Sequence, residues 1–371
     1  MPNLTIKISK EAIAHNLQAF KKEIPEACLM APAVKANAYG HGLIEVARLM
    51  EKSGANWLCV TSTDEALKLR LADIALPLLI IGPVLPENAS DAIKSNSRIF
   101  LYSIEAAKAL DQVAKIKNQK VYVHLKLDTG MGRQGIPCDQ VLEFLQDLSG
   151  LNNLIIEGVA THFATADEDK DNGHFLMQLE KFKKTAEQVE EILGRKLIKH
   201  CANSATAMLY PQCHMDMCRI GIAAYGCYPS DTVKQLWEKS HSPLKPVMSV
   251  FTKVTQIKEL PADSCVSYGC TYRTENNAKL ATIPVGYFEG LPRSLSNQGC
   301  VWIKNKKAPI VGRVCMDITV IDISGIDDVK IGDEVEIIGN NISAEDLAQA
   351  TQTINYEILT NWKESLPRLV C

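Results

Sequence analysis

Short apolar runs alternate with stretches of helical periodicity along the first two thirds of the chain. The runs are Leu29 to Val34, Trp57 to Val60, Leu78 to Ile81, Arg98 to Leu101, Val121 to Leu127, Leu154 to Ala160 and Leu197 to Cys201. Between them lie segments such as Glu11 to Glu23 and Phe175 to Leu193, whose apolar positions recur at helix spacing. Runs that are apolar on both faces, joined by amphipathic segments, are the pattern of parallel strands with crossover helices. Seven or eight such units in about 230 residues suit a closed (β/α)8 barrel better than an open sheet.

After Pro229 the rhythm changes. From Val247 onward the pattern predicts long strands and turns with little helix: Ser249 to Leu260, Leu280 to Val285, Val301 to Ile303, Pro309 to Ile323 and Val335 to Ile338. The α/β reading is therefore a (β/α)8 TIM-like barrel over residues 10–235, followed by a mostly β C-terminal domain over 236–371. Pro243 and Pro246 punctuate the region of the boundary. Leu4 to Ile8 alternates as a strand, and residues 1–9 are expected to join the β domain.

Composition narrows the class. A chain of 371 residues exceeds the roughly 250–300 that one core usually serves, which agrees with two domains. A net charge of −3, with scattered lysines and arginines, offers no basic face for nucleic acid. No apolar run approaches the roughly 20 residues that span a bilayer, and the first residues lack the pattern of an export signal. A cytoplasmic protein that binds neither membrane nor nucleic acid is expected. Twelve cysteines without a CxxC pair are expected to be reduced thiols. No second histidine stands at metal-ligand spacing from His162, so no metal site is expected.

The chemistry concentrates where apolar runs end. Lys35 follows Leu29 to Val34 and opens Lys35-Ala36-Asn37-Ala38-Tyr39-Gly40-His41-Gly42. An ammonium at a strand end, beside a Gly-rich turn, is partly withdrawn from water, which favours its neutral nucleophilic form. Such a lysine can form a Schiff base, and the turn can cradle a phosphate; a plain strand-end surface lysine is the alternative. Lys126, His162, Ser204 and Gly221 also fall at or just after apolar runs, and in a barrel those ends share one mouth. Taken singly, Asn203-Ser204 reads equally as a helix N-cap, His162 as a backbone-bonded histidine and Tyr268 as an ordinary strand tyrosine.

Six segments in fixed order carry more than any one alone: 33–42; Leu125 to Arg133; Gly158 to Ala164; Ala202-Asn203-Ser204; Arg219-Ile220-Gly221-Ile222; and Val266-Ser267-Tyr268-Gly269. Gly286-Tyr287, Gly312 to Asp317 and Thr353 to Glu357 extend them. In this order the chain resembles the pyridoxal-phosphate-dependent alanine racemases over nearly its whole length. The resemblance implies pyridoxal 5′-phosphate bound through Lys35, with Arg219 facing the pyridine nitrogen and His162 beside the ring. Tyr39, Asn203, Ser204, Gly221, Ile222 and Tyr356 are implied at the cofactor, largely as its phosphate donors. It also implies a homodimer with shared active sites, in which Tyr268 of one chain serves the other as a second base opposite Lys35. Arg133 and the Met316 amide are implied for the substrate carboxylate, Tyr287, Tyr356 and Asp317 for the entrance, and Lys126 for a carbamylated lysine beside Arg133. The activity implied is interconversion of L- and D-alanine, supplying D-alanine for peptidoglycan. A racemase for serine or a broader set of amino acids, and a non-catalytic cofactor carrier on the same barrel, are the alternatives.

Overall fold

The computed structural model describes residues 4–168 and 172–371. Cα packing divides the chain into two units. One comprises Ile13–Ala38 and Leu43–Lys245, and the other the chain up to Ala12, Tyr39–Gly42 and Pro246–Cys371.

The first unit is the barrel. Its strands are β1 (Leu29–Met30), β2 (Leu58–Val60), β3 (Leu78–Ile80), β4 (Arg98–Leu101), β5 (Val121–Asp128), β6 (Leu154–Ala160), β7 (Ile198–His200) and β8 (Met217–Cys218). β2 to β7 pair in parallel in chain order, and β8 pairs in parallel with β1. Single parallel bridges, Ala33 with Cys59 and Ala202 with Cys218, link β1 to β2 and β7 to β8. Eight strands thus close in sequence order, as the alternating pattern predicts. Several strands are shorter than their apolar runs. In the first, Pro32 has no N–H to give to a ladder, although its carbonyl still accepts from Cys59.

Strands covered on both faces explain the continuous apolar runs: Leu58, Cys59, Val60, Leu78, Leu79 and Ile80 have no exposed surface. Against that background His124, Lys126, His200 and Arg219 are buried polar residues. Burying such groups is costly unless each finds partners, so these four need a specific account.

In the second unit a six-stranded sheet runs Lys306–Pro309, Cys300–Ile303, Glu334–Ile338, Met248–Lys253, Leu4–Ile8, Arg368–Val370. Leu4–Ile8 pairs antiparallel with Met248–Lys253 and parallel with Arg368–Val370. A three-stranded sheet (Gln256–Leu260, Ala278–Ile283, Thr319–Asp322) and a hairpin (Cys265–Val266 with Tyr272–Arg273) complete the β structure. Two of the expected strands are broken. Ser249 to Leu260 divides at Val254 and Thr255, because its halves belong to different sheets. Pro309 to Ile323 opens between Pro309 and Thr319 into a loop that contains Gly312 at φ 75°. The unit also holds helices Ala344–Thr351 and Asn355–Thr360.

Candidate active site

Lys35 starts a backbone turn of unusual hand. Ala36, Asn37, Ala38 and Tyr39 have φ of 53°, 53°, 54° and 52°, a left-handed helical turn without glycine. Each such residue costs about 1–2 kcal/mol, so the surroundings must over-determine the conformation. Ala38 N–H donates to Val34 O at 2.8 Å, Ala36 N–H to Glu65 Oε1 at 2.6 Å, and Leu43 N–H to Asn37 Oδ1 at 2.8 Å. The Gly-rich turn expected at Lys35 is therefore corrected: Gly40 and Gly42 come only after the turn, at φ 82° and 102°. Glu65 also accepts from Thr61 and Ser62 N–H through Oε2. It is the reciprocal half of a capping box with Ser62, so one carboxylate ties a helix start to the Lys35 turn.

Burial lowers the Lys35 pKa, and the positive charge of Arg133 lowers it further, with Glu65 opposing. Lys126, in β5, is pushed down to about 7 by burial first and then by Arg219; its Nζ donates to Leu127 O at 2.9 Å. His162, two residues beyond β6, is held well below its ordinary value by burial and by the charges of Arg219, Arg133, Lys126 and Lys35. The strand ends thus collect positive charge. The nearby carboxylate of Asp128 is committed to the backbone, accepting from Gly130, Met131 and Gly132 N–H and so shaping the loop that leads to Arg133. Arg133 itself is exposed.

Arg219 is buried just beyond β8. Its Nη1 donates to His200 Nδ1 at 2.8 Å and to His200 O at 2.9 Å, while Nη2 donates to Thr161 O at 2.7 Å. Asn203 caps helix Ser204–Leu209, accepting from Thr206 N–H at 3.1 Å, so the capping reading is the one that its side chain shows. Ser204 Oγ accepts from Gly221 N–H at 2.9 Å, and Ile222 opens the short helical turn Ile222–Tyr225. Lys35, Lys126, His162, Asn203, Ser204, Arg219, Gly221 and Ile222 all lie at or just past the C-terminal ends of barrel strands.

The remaining candidates lie in the other unit. The Tyr39 and Tyr356 rings are 6.2 Å apart at their centroids. Tyr268, Met316 and Asp317 line one concavity of about 540 Å³ with Ser267, Cys315 and Ile318. Tyr287 N–H donates to Cys315 O at 3.1 Å and Phe288 N–H to Met316 O at 2.9 Å, which brings the Tyr287 loop against the same segment. Tyr268 is 72% exposed, at the tip of the Cys265–Arg273 hairpin. Ser267 before it sits at φ 63°, ψ −173°, a region that favours glycine, and its Oγ donates to Arg313 O at 2.7 Å. The hairpin corrects the all-thiol expectation, because Cys265 and Cys270 form a disulfide across the Tyr268 loop. Their Cα atoms are 5.0 Å apart, within disulfide range. A CxxxxC spacing closes into such a ring only when the intervening loop doubles back.

Glu65 and His200 were not among the residues singled out from sequence. Ser62-Thr63-Asp64-Glu65 carries the capping-box signal that would have found the first. His200 ends an apolar run, the position shared by the other buried polar residues.

Residues 8–229 match the family profile described as alanine racemase, N-terminal domain, and residues 247–370 the C-terminal domain profile. The chain is 38% identical over 366 residues to an alanine racemase of Desulforamulus reducens, covering 98% of this chain and 97% of that protein. Among solved structures it is similar to alanine racemase of Clostridium difficile 630 (TM-score 0.94, 35% identity, 100% of this chain and 96% of that one). It is also similar to the Bartonella henselae enzyme with covalently bound pyridoxal phosphate (TM-score 0.89, 27% identity, 100% of both chains). With both domains matched in order and whole-length relatives well above 30% identity, the chain belongs to the alanine racemase family.

Proposed function

We propose that this protein interconverts L- and D-alanine, using pyridoxal 5′-phosphate held at the C-terminal ends of the barrel strands. The observation that carries the reading is the set of donors gathered there: a lysine turned towards its neutral form, a buried arginine and backbone amides at strand ends. That set fits a ligand combining an aldehyde, an aromatic ring nitrogen and a phosphate dianion. The cofactor, when bound, supplies an electron sink that eases loss of the substrate Cα proton.

The residues divide the remaining work. Lys35 Nζ would hold the cofactor's aldehyde carbon, and after substrate exchange it would carry a proton to and from one face of Cα. Arg219 would donate to the ring nitrogen without protonating it, because a guanidinium does not readily give up a proton. Ser204 and the Gly221 and Ile222 amides, with Tyr39 and Tyr356, would take the phosphate; the Asn203 cap holds the helix that Ser204 begins. His162, kept neutral, would lie beside the ring without adding charge. Arg133 and the Met316 N–H would fix the substrate carboxylate, and Tyr287 and Asp317 would narrow the entrance to suit a small side chain. Tyr268 Oη of a second copy would exchange the proton on the opposite face, since one base cannot serve both faces of a planar centre. Tyr268 stands largely uncovered within its own hairpin, which agrees with service to another subunit.

Mixing inactive Lys35→Ala and Tyr268→Phe protomers tests the arrangement. A mixed dimer has one site with both bases and one with neither, so partial activity should return on subunit exchange. Mixed dimers seen by native mass spectrometry but inactive would refute a second base contributed in trans. Borohydride reduction and peptide mapping should place a pyridoxyl adduct on Lys35.

A further inference from the structure

Arg219 is the buried end of a polar chain that runs across the barrel to the partly exposed Glu157 and Arg98. Beyond the Arg219–His200 bond, His200 Nε2 lies 2.7 Å from His124 Nδ1, and His124 Nε2 lies 3.1 Å from Glu157 Oε2. Arg98 Nε and Nη2 donate to the two oxygens of Glu157 at 3.0 and 3.2 Å. The direction of this chain is set from both ends. A guanidinium can only donate and a carboxylate can only accept. His200 Nδ1 must therefore be bare and its Nε2 protonated, His124 Nδ1 bare and its Nε2 protonated. Both imidazoles are thereby neutral, each as the Nε2–H tautomer. Burial, the largest influence on each, lowers the pKa of both. Glu157 is held at about 2, because hydrogen bonds from His124 and Arg98 overcome the effect of burial.

Three local features serve this chain. The β5–β6 register pairs Val123 with Ile156 and then His124 with Gly158, so Glu157 is the extra residue of a β-bulge. Bulges re-aim a side chain and occur near functional sites. At Gly158 any Cβ would lie 2.5 Å from His124 Nδ1, so only glycine leaves room for the His124–His200 contact. Trp57 packs edge-on against the His124 ring, with centroids 5.7 Å apart, and Phe100 against His200 at 5.8 Å. An apolar barrel interior would need neither bulge nor buried histidines, and a half-satisfied polar network is worse than none.

We infer that Glu157 is a remote positioning residue: acting through His124 and His200, it holds Arg219 as a one-way donor at the cofactor site. The inference rests on the proposed cofactor reading for what Arg219 does there. Without the carboxylate, either the His124 Nε2–H is buried with no acceptor, or both tautomers reverse and an N–H of His200 opposes Arg219. Either outcome loosens the guanidinium.

Solid-state 15N NMR of histidine-labelled protein free of cofactor reads the tautomers directly. Wild type and Glu157→Gln, whose amide oxygen can still accept, should both show His124 and His200 as neutral Nε2–H rings from about pH 5.5 to about 8.5, the range across which an ordinary histidine titrates. Glu157→Leu should give mixed tautomers or an imidazolium. In the loaded enzyme, kcat should fall about tenfold or more in Glu157→Leu, with KM little changed and recovery in Glu157→Gln. An Nδ1–H tautomer or imidazolium in wild type overturns the inference, as does a Glu157→Leu protein whose tautomers or kcat do not change. Should Glu157→Leu fail to fold, the wild-type and Glu157→Gln spectra still decide the direction of the chain. Failure of wild type to take up pyridoxal phosphate would instead sink the reading of the site, separately from the tautomers, which are measured without it.

Discussion

Replacing Lys126 with Met should stabilise the protein in carbon dioxide-free buffer, and by an amount that depends on pH. Lys126 is 3% exposed, and its pKa falls from 10.5 to about 7. At about 1.4 kcal/mol per pH unit, the fold carries a penalty of roughly 5 kcal/mol wherever the ammonium persists in both states. Below about pH 7 both the folded and unfolded chains hold the proton, and the penalty is complete. Between about 7 and 10.5 the folded chain has lost the proton while the unfolded chain retains it, so wild-type stability rises with pH. The advantage of Lys126→Met should therefore be largest near pH 6 and shrink by about 1.4 kcal/mol per unit above about pH 7. Urea denaturation of both proteins from pH 6 to 9.5 measures the difference, and other titrating groups largely cancel. Parallel stability curves would refute the argument. The same low pKa leaves the neutral amine well populated at pH 7, the form that adds carbon dioxide and releases a proton to give a carbamate. Bicarbonate should then remove the wild-type slope, turning a cation crowded by Arg219 and Arg133 into their anionic partner.

Two further outcomes follow from backbone geometry. Gly40→Ala should cost at least about 3 kcal/mol in urea denaturation, since its Cβ would lie 2.1 Å from Leu359 O at φ 82°. Gly132→Ala, at φ 67° with open space around it, should cost only about 1 kcal/mol, so equal losses would refute the steric argument. Cys270→Ser should speed amide hydrogen exchange across 264–272, because Ser267 would then rest mainly on its bond to Arg313; unchanged exchange would show that the cross-link adds no order to the Tyr268 loop.

The barrel was legible because parallel strands buried on both faces write continuous apolar runs, and the helices between them write a different period. The broken strands were not, because a register change between sheets leaves no mark on alternation: Val254 and Thr255 read as strand. Neither was the left-handed turn after Lys35. Alanine and tyrosine have no preference for that conformation, which is imposed by contacts with Val34 and Glu65 that a linear reading does not contain. The disulfide escaped for a related reason, since only the folded hairpin brings Cys265 and Cys270 together.

The site was legible chiefly through the ordered segments that carry the family resemblance, and residues that break the apolar pattern around them held a further signal. His124 and Lys126 interrupt the apolar run of β5, Glu157 stands beside Gly158 inside that of β6, and His200 ends β7. Each is costly where an aliphatic residue would serve the fold better, yet Lys126 alone of the four was among the residues singled out from sequence. Together they are hard to explain by stability, because a barrel interior gains nothing from two histidines, a bulge and an arginine that must all be satisfied at once. Departures from local consistency concentrate where structure serves function. A charged or imidazole side chain within an apolar run, next to a glycine that makes room for it, is therefore a sequence signal in its own right, and here it leads from Glu157 to Arg219 without reference to any motif.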